Sequence, residues 1–437
     1  MTFLIDFLGC KVNSYEVESI ANDLIGHGFS TFNGKGKPDI VIINTCSVTE
    51  TSGAKSRKMI RHYRFLYRKA IIVVMGCDSQ NEGENYTETL NADIVLGTTQ
   101  RTKVFDYIET FKKYQERIFV HDDLMKNRKY ESMSVSHFLF NTRAYVKIQD
   151  GCDNYCTYCL IPYVRGHSRS RPENEVIDEI TGLVKNGYKE IVLTGIDMCS
   201  YGQDLTKKIT FSDLLEDILK SIPDLYRLRI SSIEESQIDD HFLELLKNYN
   251  NIANHLHIPL QSGSVSVLEK MKRKYNLDNY RSKIKKIREI RPNIAISTDV
   301  IVGFPTETEE EFMETYSFCK EMNFSKIHVF PFSDRKGTVA YEMIPKVAPE
   351  VKKDRVSRLI LLSNMLGQKY DNIFANRKIE FLFENYDQKR KAYRGHSSNY
   401  LETYYPSSEN LTGKVLTVPY ISIFDNVKNN LFDGIDD

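Results

Sequence analysis

The chain has 437 residues, with 59 Lys+Arg against 59 Asp+Glu and therefore no formal net charge. A hydrophobic fraction of 41% supports real cores and excludes a disordered chain, while the lack of a Gly repeat or sustained heptad excludes collagen and simple coiled coil. At about 150 residues per domain the length predicts three domains.

No run of about 18 apolar residues exists, so no membrane span is expected. In the opening MTFLIDFLGC, Asp6 interrupts the apolar stretch and no basic segment precedes it, so it is not read as a signal peptide. A cytoplasmic location without a membrane partner is the default expectation. There the eight cysteines are expected to serve metals or catalysis where they cluster, not disulfides.

Three short apolar runs open the chain: Thr2–Leu8, Asp39–Ile43 and Ala70–Met75. Each reads as a buried strand, and a fourth, Asp93–Leu96, follows. Helical spacing over Ser14–Gly26 lies between the first two. This βαβαβαβ pattern predicts a parallel sheet covered by helices. The polar stretch from about 110 to 140 reads as a linker.

A second series then begins. Strands are predicted at Ala144–Gln149, Glu190–Leu193, Arg227–Ile230, His255–Ile258, Ala295–Val302 and Lys326–Val329. Helical patterns fall between them at Pro172–Asn186, Phe211–Ser221, Asp240–Asn248, Leu277–Ile290 and Glu307–Met322. Such a run predicts a partial (βα)6 barrel, with active residues at the strand carboxyl ends. After a helix ending near Asn376, five short strands are predicted: Lys378–Phe383, Lys391–His396, Leu401–Tyr405, Lys414–Val418 and Ile421–Phe424. They suggest a small antiparallel β-barrel of the oligonucleotide-binding kind. The expected units are 1–112, 138–368 and 371–437.

Cys10, Cys46 and Cys77 each follow a predicted strand, at spacings of 36 and 31 residues. Strand carboxyl ends of a parallel sheet share one edge, so the three thiols should converge. Convergent thiolates suit an iron–sulfur cluster or another soft metal. Three buried structural cysteines are the competing reading.

A second set, Cys152, Cys156 and Cys159, has the spacing C-x3-C-x2-C directly after the first barrel strand. Three thiolates on one loop can hold three irons of a cubane and leave the fourth open. Zinc competes, but no fourth Cys or His stands at finger spacing. His167 reads as polar surface. Cys319 reads as a core thiol and Cys199 as an incidental one.

This loop, with Tyr158 before its last cysteine, resembles the radical S-adenosylmethionine enzymes. The flanks Lys147–Cys152 and Ile161–Gly166, with His257–Ser264 and Asp299–Pro305, resemble the methylthiotransferases among them. Leu8–Glu16 and Asn44–Thr49, followed by Lys55-Ser56-Arg57, look most like the threonylcarbamoyladenosine tRNA branch. The isopentenyladenosine and ribosomal-protein branches carry different residues after the first cysteine. Thr306 departs from the family, which usually has Gly after Phe-Pro. Asp78-Ser79-Gln80 and Met198-Cys199 depart in their loops.

The resemblance implies two 4Fe–4S clusters. Cys152, Cys156 and Cys159 would hold the one that binds S-adenosylmethionine at an open iron. Cys10, Cys46 and Cys77 would hold an auxiliary cluster, from or through which sulfur arrives. S-adenosylmethionine would serve as radical source and as methyl donor. The product would be a 2-methylthio adenine beside the tRNA anticodon; isopentenyladenosine or a ribosomal-protein aspartate is the alternative substrate. A non-catalytic iron–sulfur RNA-binding protein is the alternative of another class. Candidate S-adenosylmethionine contacts are Tyr158, Gly195, Ser231, Ser232, Glu234, Gln261, Arg273, Val302 and Gly303. An external electron donor of the flavodoxin or ferredoxin type and a monomeric state are expected.

For the anticodon stem-loop, the basic run Lys55–Lys69 is the first candidate, with His62, Tyr63, Phe65 and Tyr67 interleaved. Residues 270–291 hold ten Lys/Arg, for which a solvated helix face competes equally. Arg165, Arg169 and Arg171, and the C-terminal Tyr393, Arg394, Tyr400, Tyr404 and Tyr405, complete the candidates.

Overall fold

The computed structural model describes residues 1–83 and 85–422. Six strands form the first sheet: β1 (Thr2–Phe7), β2 (Ser30–Thr31), β3 (Ile40–Thr45), β4 (Ile71–Gly76), β5 (Ile94–Leu96) and β6 (Ile118–Val120). Their order is β2-β1-β3-β4-β5-β6, all parallel. Every residue of β3 is buried, as a central strand covered on both faces requires. The sixth strand lies in the stretch expected to be a linker. Ile118 and Val120 alternate inward there, a pattern of three residues too short to stand out from its polar surroundings.

Helix Lys11–Gly26 begins three residues earlier than its periodicity predicted and is buried on two faces. Tyr15, Val17, Ile20 and Leu24 enter the main core. Glu18 is buried because Leu139 N, Phe140 N and Asn141 Nδ2 donate to it at 2.7, 2.9 and 3.1 Å. The Tyr15 hydroxyl donates to Met133 O at 2.6 Å. The segment after β6 is therefore strapped across this helix, with Met133, Val135 and Phe138 in the core.

The central region carries β7 (Ala144–Lys147), β8 (Gln149–Asp150), β9 (Arg169–Ser170), β10 (Glu190–Thr194), β11 (Arg227–Ile230), β12 (His255–His257), β13 (Ala295–Val302) and β14 (Lys326–Pro331). Strands β7, β10 and β11 pair in parallel, as do β12, β13 and β14. A bridge from Leu228 to Ile252 joins the two sets. Four of the intervening helices start at side-chain caps. Thr210 with Asp213 and Thr308 with Glu311 form capping boxes, and Asp239 and Asn276 cap singly.

The C-terminal antiparallel sheet contains β15 (Lys378–Asp387), β16 (Ala392–Ser397), β17 (Glu402–Tyr405) and β18 (Val415–Pro419), in the order β17-β16-β15-β18. Of the fifth predicted strand, Ile421 and Ser422 are not in a strand, and the rest lies outside the described residues. The sheet docks on the central strands through Glu190, which is 1% exposed. Glu190 accepts from Arg227 Nη1 at 3.0 Å and Arg229 Nε at 2.6 Å. Arg227 reaches on to Glu380, and Arg229 to the carbonyls of Ser397 and Ser398. Among the described residues, no helix is long and apolar enough to cross a membrane.

Candidate active site

Cys10, Cys46 and Cys77 stand at the carboxyl ends of β1, β3 and β4. These strands are neighbours in the sheet, so three distant cysteines meet at one edge. The approach is close. A Cβ on Gly9, whose φ is +118°, would lie 3.2 Å from Cys46 Sγ. Cys10 is exposed, and Cys46 and Cys77 are buried. Burial raises the Cys46 thiol, and it pushes Cys77 up to about 12 although the Arg165 guanidinium opposes the rise.

The second set occupies a loop fixed mainly by backbone hydrogen bonds. Cys152 N donates to Gly166 O at 3.0 Å, Thr157 N to Met271 O at 3.2 Å, and Ala340 N to Thr157 O at 2.8 Å. Gly151 precedes it with φ +73°, where a Cβ would fall 1.9 Å from His167 O, so only glycine fits. Burial raises Cys152 well above the usual thiol range, with Asp197 adding to the rise, and pushes Cys159 up to about 12. Arg273 Nη1 lies 3.7 Å from Cys156 Sγ, and Arg273 pairs with Glu234. Asp197 Oδ2 lies 3.6 Å from Cys152 Sγ and accepts from Asn154 Nδ2 at 3.0 Å. Tyr158 packs against the apolar cluster of Val267, Met271, Phe304 and Phe332.

The predicted contacts divide. Tyr158, Glu234 and Arg273 gather at the second loop. Ser231 faces a cavity between the central strands and the C-terminal sheet. Gly195 packs under Met198 and Gln149, and Gly303 against Lys352. Gln261 sits at φ +60° and bridges to Val300, and Val302 is fully buried. Ser232 is half-buried, and among the described residues its side chain makes no hydrogen bond to the loop. His167 bonds Asp153 at 2.5 Å as a polar pair. Cys319 is a core thiol, and Cys199 lies 3.0 Å from Ser236 Oγ.

Arg165, Arg169 and Arg171 are not an RNA surface. All three are buried, at 0%, 3% and 3% exposure. Arg165 joins the two cysteine sets. It follows the second loop, yet its Nε donates to Cys77 Sγ at 3.2 Å and its Nη2 to Asn13 Oδ1 at 2.8 Å. Its Nη1 lies 2.9 Å from both Glu16 Oε1 and Asp150 Oδ1. Lys147 Nζ binds the same two carboxylates at 2.9 and 2.6 Å, and Arg101 binds both as well. These cations hold Glu16 and Asp150 well below the usual carboxylate range despite burial. The network escaped sequence reasoning because its partners lie far apart in the chain.

Other RNA candidates shrink too. In 270–291, Arg281 pairs with Glu321, Lys286 with Asp240 and Lys270 with Glu311, and Arg291 donates to three carbonyls. Tyr400 is held between Arg229 and His255, and Arg394 pairs with Glu402. In helix Glu50–Leu66 and the turn after it, Arg57 and Arg64 turn inward to Asp78 and Asp93. Lys55, Lys58, Arg61 and Arg68 are exposed, beside Phe65 at 69%.

All six thiols are free, and Asp197, 3.6 Å from Cys152 Sγ, is the carboxylate beside the second set. Two all-sulfur sets of three fit iron–sulfur clusters better than zinc. The Radical SAM superfamily model matches residues 146–319, and that of the uncharacterized protein family UPF0004 matches residues 2–97. The chain is 42% identical to the threonylcarbamoyladenosine tRNA methylthiotransferase MtaB of Bacillus subtilis, over 94% of this chain and 92% of that one. It is 36% identical to the tRNA-2-methylthio-N(6)-dimethylallyladenosine synthase of Clostridium tetani, over 89% and 87%. In fold it is similar to the radical S-adenosylmethionine methyltransferase TsrM of Kitasatospora setae, with a TM-score of 0.58, 15% identity, and 78% and 77% of the two chains covered. With two cysteine sets on one fold and relatives matched along nearly their whole length, the chain belongs to the methylthiotransferase family of radical S-adenosylmethionine enzymes.

Proposed function

We propose that this enzyme converts N6-threonylcarbamoyladenosine next to the tRNA anticodon to its 2-methylthio derivative. The observation that carries the reading is the 42% identity, over nearly the full length of both chains, to a relative named for that reaction. The three units 1–112, 138–368 and 371–437 divide the work. They are read as an auxiliary-cluster domain, a partial (βα)6 barrel and a TRAM-like, oligonucleotide-binding sheet.

Cys152, Cys156 and Cys159 would hold a 4Fe–4S cluster with one open iron for S-adenosylmethionine. Cys10, Cys46 and Cys77 would hold a second one. When bound, these groups supply the one-electron chemistry and the sulfur that an unactivated C2–H demands and side chains cannot provide. The chain's own residues orient and insulate. Arg273, held by Glu234, places a positive charge beside the second loop, where a carboxylate of S-adenosylmethionine would be neutralised. Asn154 fixes Asp197 near Cys152. Tyr158 and its apolar neighbours keep water from one side of the loop. Arg165 fixes the separation of the two sets through Cys77 and Asp150.

The exposed Lys55, Lys58, Arg61, Phe65 and Arg68 give phosphate and stacking contacts for the anticodon stem-loop. An external flavodoxin- or ferredoxin-type donor, a monomeric state and a cytoplasmic location complete the proposal. Mass spectrometry of tRNA nucleosides from a deletion strain tests it. Loss of the 2-methylthio form, with accumulation of threonylcarbamoyladenosine, is expected. Persistence of the methylthio form in a strain with no second such enzyme contradicts it.

A further inference from the structure

A cavity of about 700 Å³ lies between the central strands and the C-terminal sheet, with Lys11 forming part of its wall. Its volume falls in the range of small-ligand sites. Residues of β11 to β14 line it, most of them polar: Arg229, His255, His257, Ser297, Asp299 and His328 among them, with Ile230 and Phe330. A side-chain chain runs across its wall. Ser297 Oγ lies 2.9 Å from both His255 Nε2 and His257 Nδ1, and His257 Nε2 lies 3.1 Å from Asp299.

The cavity's charges are unevenly satisfied. Arg229 is committed to Glu190, Arg394 and Glu402 to each other, Asp299 to His257, and the lining carboxylate Asp371 to the Tyr420 hydroxyl. Lys11 and Lys326 also line it, and among the described residues neither has a carboxylate partner. His255, 7% exposed, keeps Nδ1 without a hydrogen-bond partner. Burial lowers the His328 imidazole; Asp299 opposes this, and His257, Lys326 and Lys11 reinforce it. Two ammonium groups without a carboxylate partner favour an anionic ligand. They disfavour a metal ion on His257, Asp299 and His328, although those side chains stand close enough to share one.

The position joins both cysteine sets. Lys11 directly follows Cys10. Ile233 N donates to His257 O at 2.9 Å, and the next residue, Glu234, pairs with Arg273 beside Cys156. A threonylcarbamoyl substituent ends in a carboxylate and a hydroxyl, whereas a dimethylallyl group has neither.

Resting on the function proposed above, we infer that Lys11 and Lys326 select the substrate by receiving the carboxylate of the threonylcarbamoyl group in this cavity, with His328 and Asp299 beside them. A charge-assisted contact of this kind is worth about ten-fold in affinity per lysine.

The test measures binding of the cluster-reconstituted full chain to three anticodon stem-loops. They carry threonylcarbamoyladenosine, its neutral carboxyl methyl ester, or dimethylallyladenosine. Wild type should bind the acid at least ten-fold better than the other two. Lys326→Met and Lys11→Met should each remove about ten-fold from the acid alone, so retained ester binding reports an intact fold. Equal binding of acid and ester by wild type overturns the inference, as does an equal loss for both in the variants. Those results leave the proposed reaction standing, because its own failure is read separately from the deletion strain's nucleosides.

Discussion

The two cysteine edges reach the same donor count by opposite means. Cys152, Cys156 and Cys159 share one loop, and neighbouring backbone holds that loop in place. Cys10, Cys46 and Cys77 come from three strands, so their meeting depends on the register of a whole sheet and on a buried ionic network outside it. A local site survives damage elsewhere; an assembled one inherits every weakness of its supports. Distant substitutions should therefore harm the first set more than the second.

The largest expected effect tests the local site. Cys156→Ala should abolish reductive cleavage of S-adenosylmethionine and remove about half of the iron of the reconstituted protein. Cleavage at wild-type rate would remove this loop from the chemistry.

Arg165→Met tests the assembled site. It leaves Glu16 and Asp150 with fewer buried cations and Cys77 without its donor. Breaking a buried ionic cluster in this way costs about 3–5 kcal/mol. Urea melts should show that loss. Iron analysis should show preferential loss from the first set, and uniform loss from both would contradict the contrast.

Glu190 extends the comparison to the docked C-terminal sheet. Its arginines hold it down at about 2, against an ordinary 4.5, in spite of burial. A carboxylate depressed in the folded state stabilises it fully above the unfolded value and loses that contribution as pH falls towards the folded one. Docking should therefore weaken between pH about 4.5 and about 2. Protease sensitivity near residues 373–377 should rise over that window in wild type and already be raised at neutral pH in Glu190→Gln.

The smallest effect is a gain. Thr306 has φ +68°, which disfavours a β-branched residue, and its buried Oγ1 has no hydrogen-bond partner. Thr306→Gly should add about 1 kcal/mol of stability, read as a raised unfolding midpoint. An unchanged or lowered midpoint would contradict that strain.

The same contrast explains what could be read from sequence. The strands of the first sheet announce themselves as Ile- and Val-rich runs, and the second loop announces itself by spacing. Thr306 stood out because the resembled family has glycine there. The partnership of Glu16 with Arg101, Lys147 and Arg165 was hidden. A Glu facing inward on a helix looks, in sequence, like a Glu facing water. The short β6 was hidden by polar neighbours, and the basic run 270–291 gave no sign that its charges were already paired.

The division of labour between the two edges is tested most directly by anaerobic turnover of a threonylcarbamoyladenosine stem-loop with Cys46→Ala. Reductive cleavage of S-adenosylmethionine should continue with no 2-methylthio product. Methylthio product at the wild-type level would contradict it.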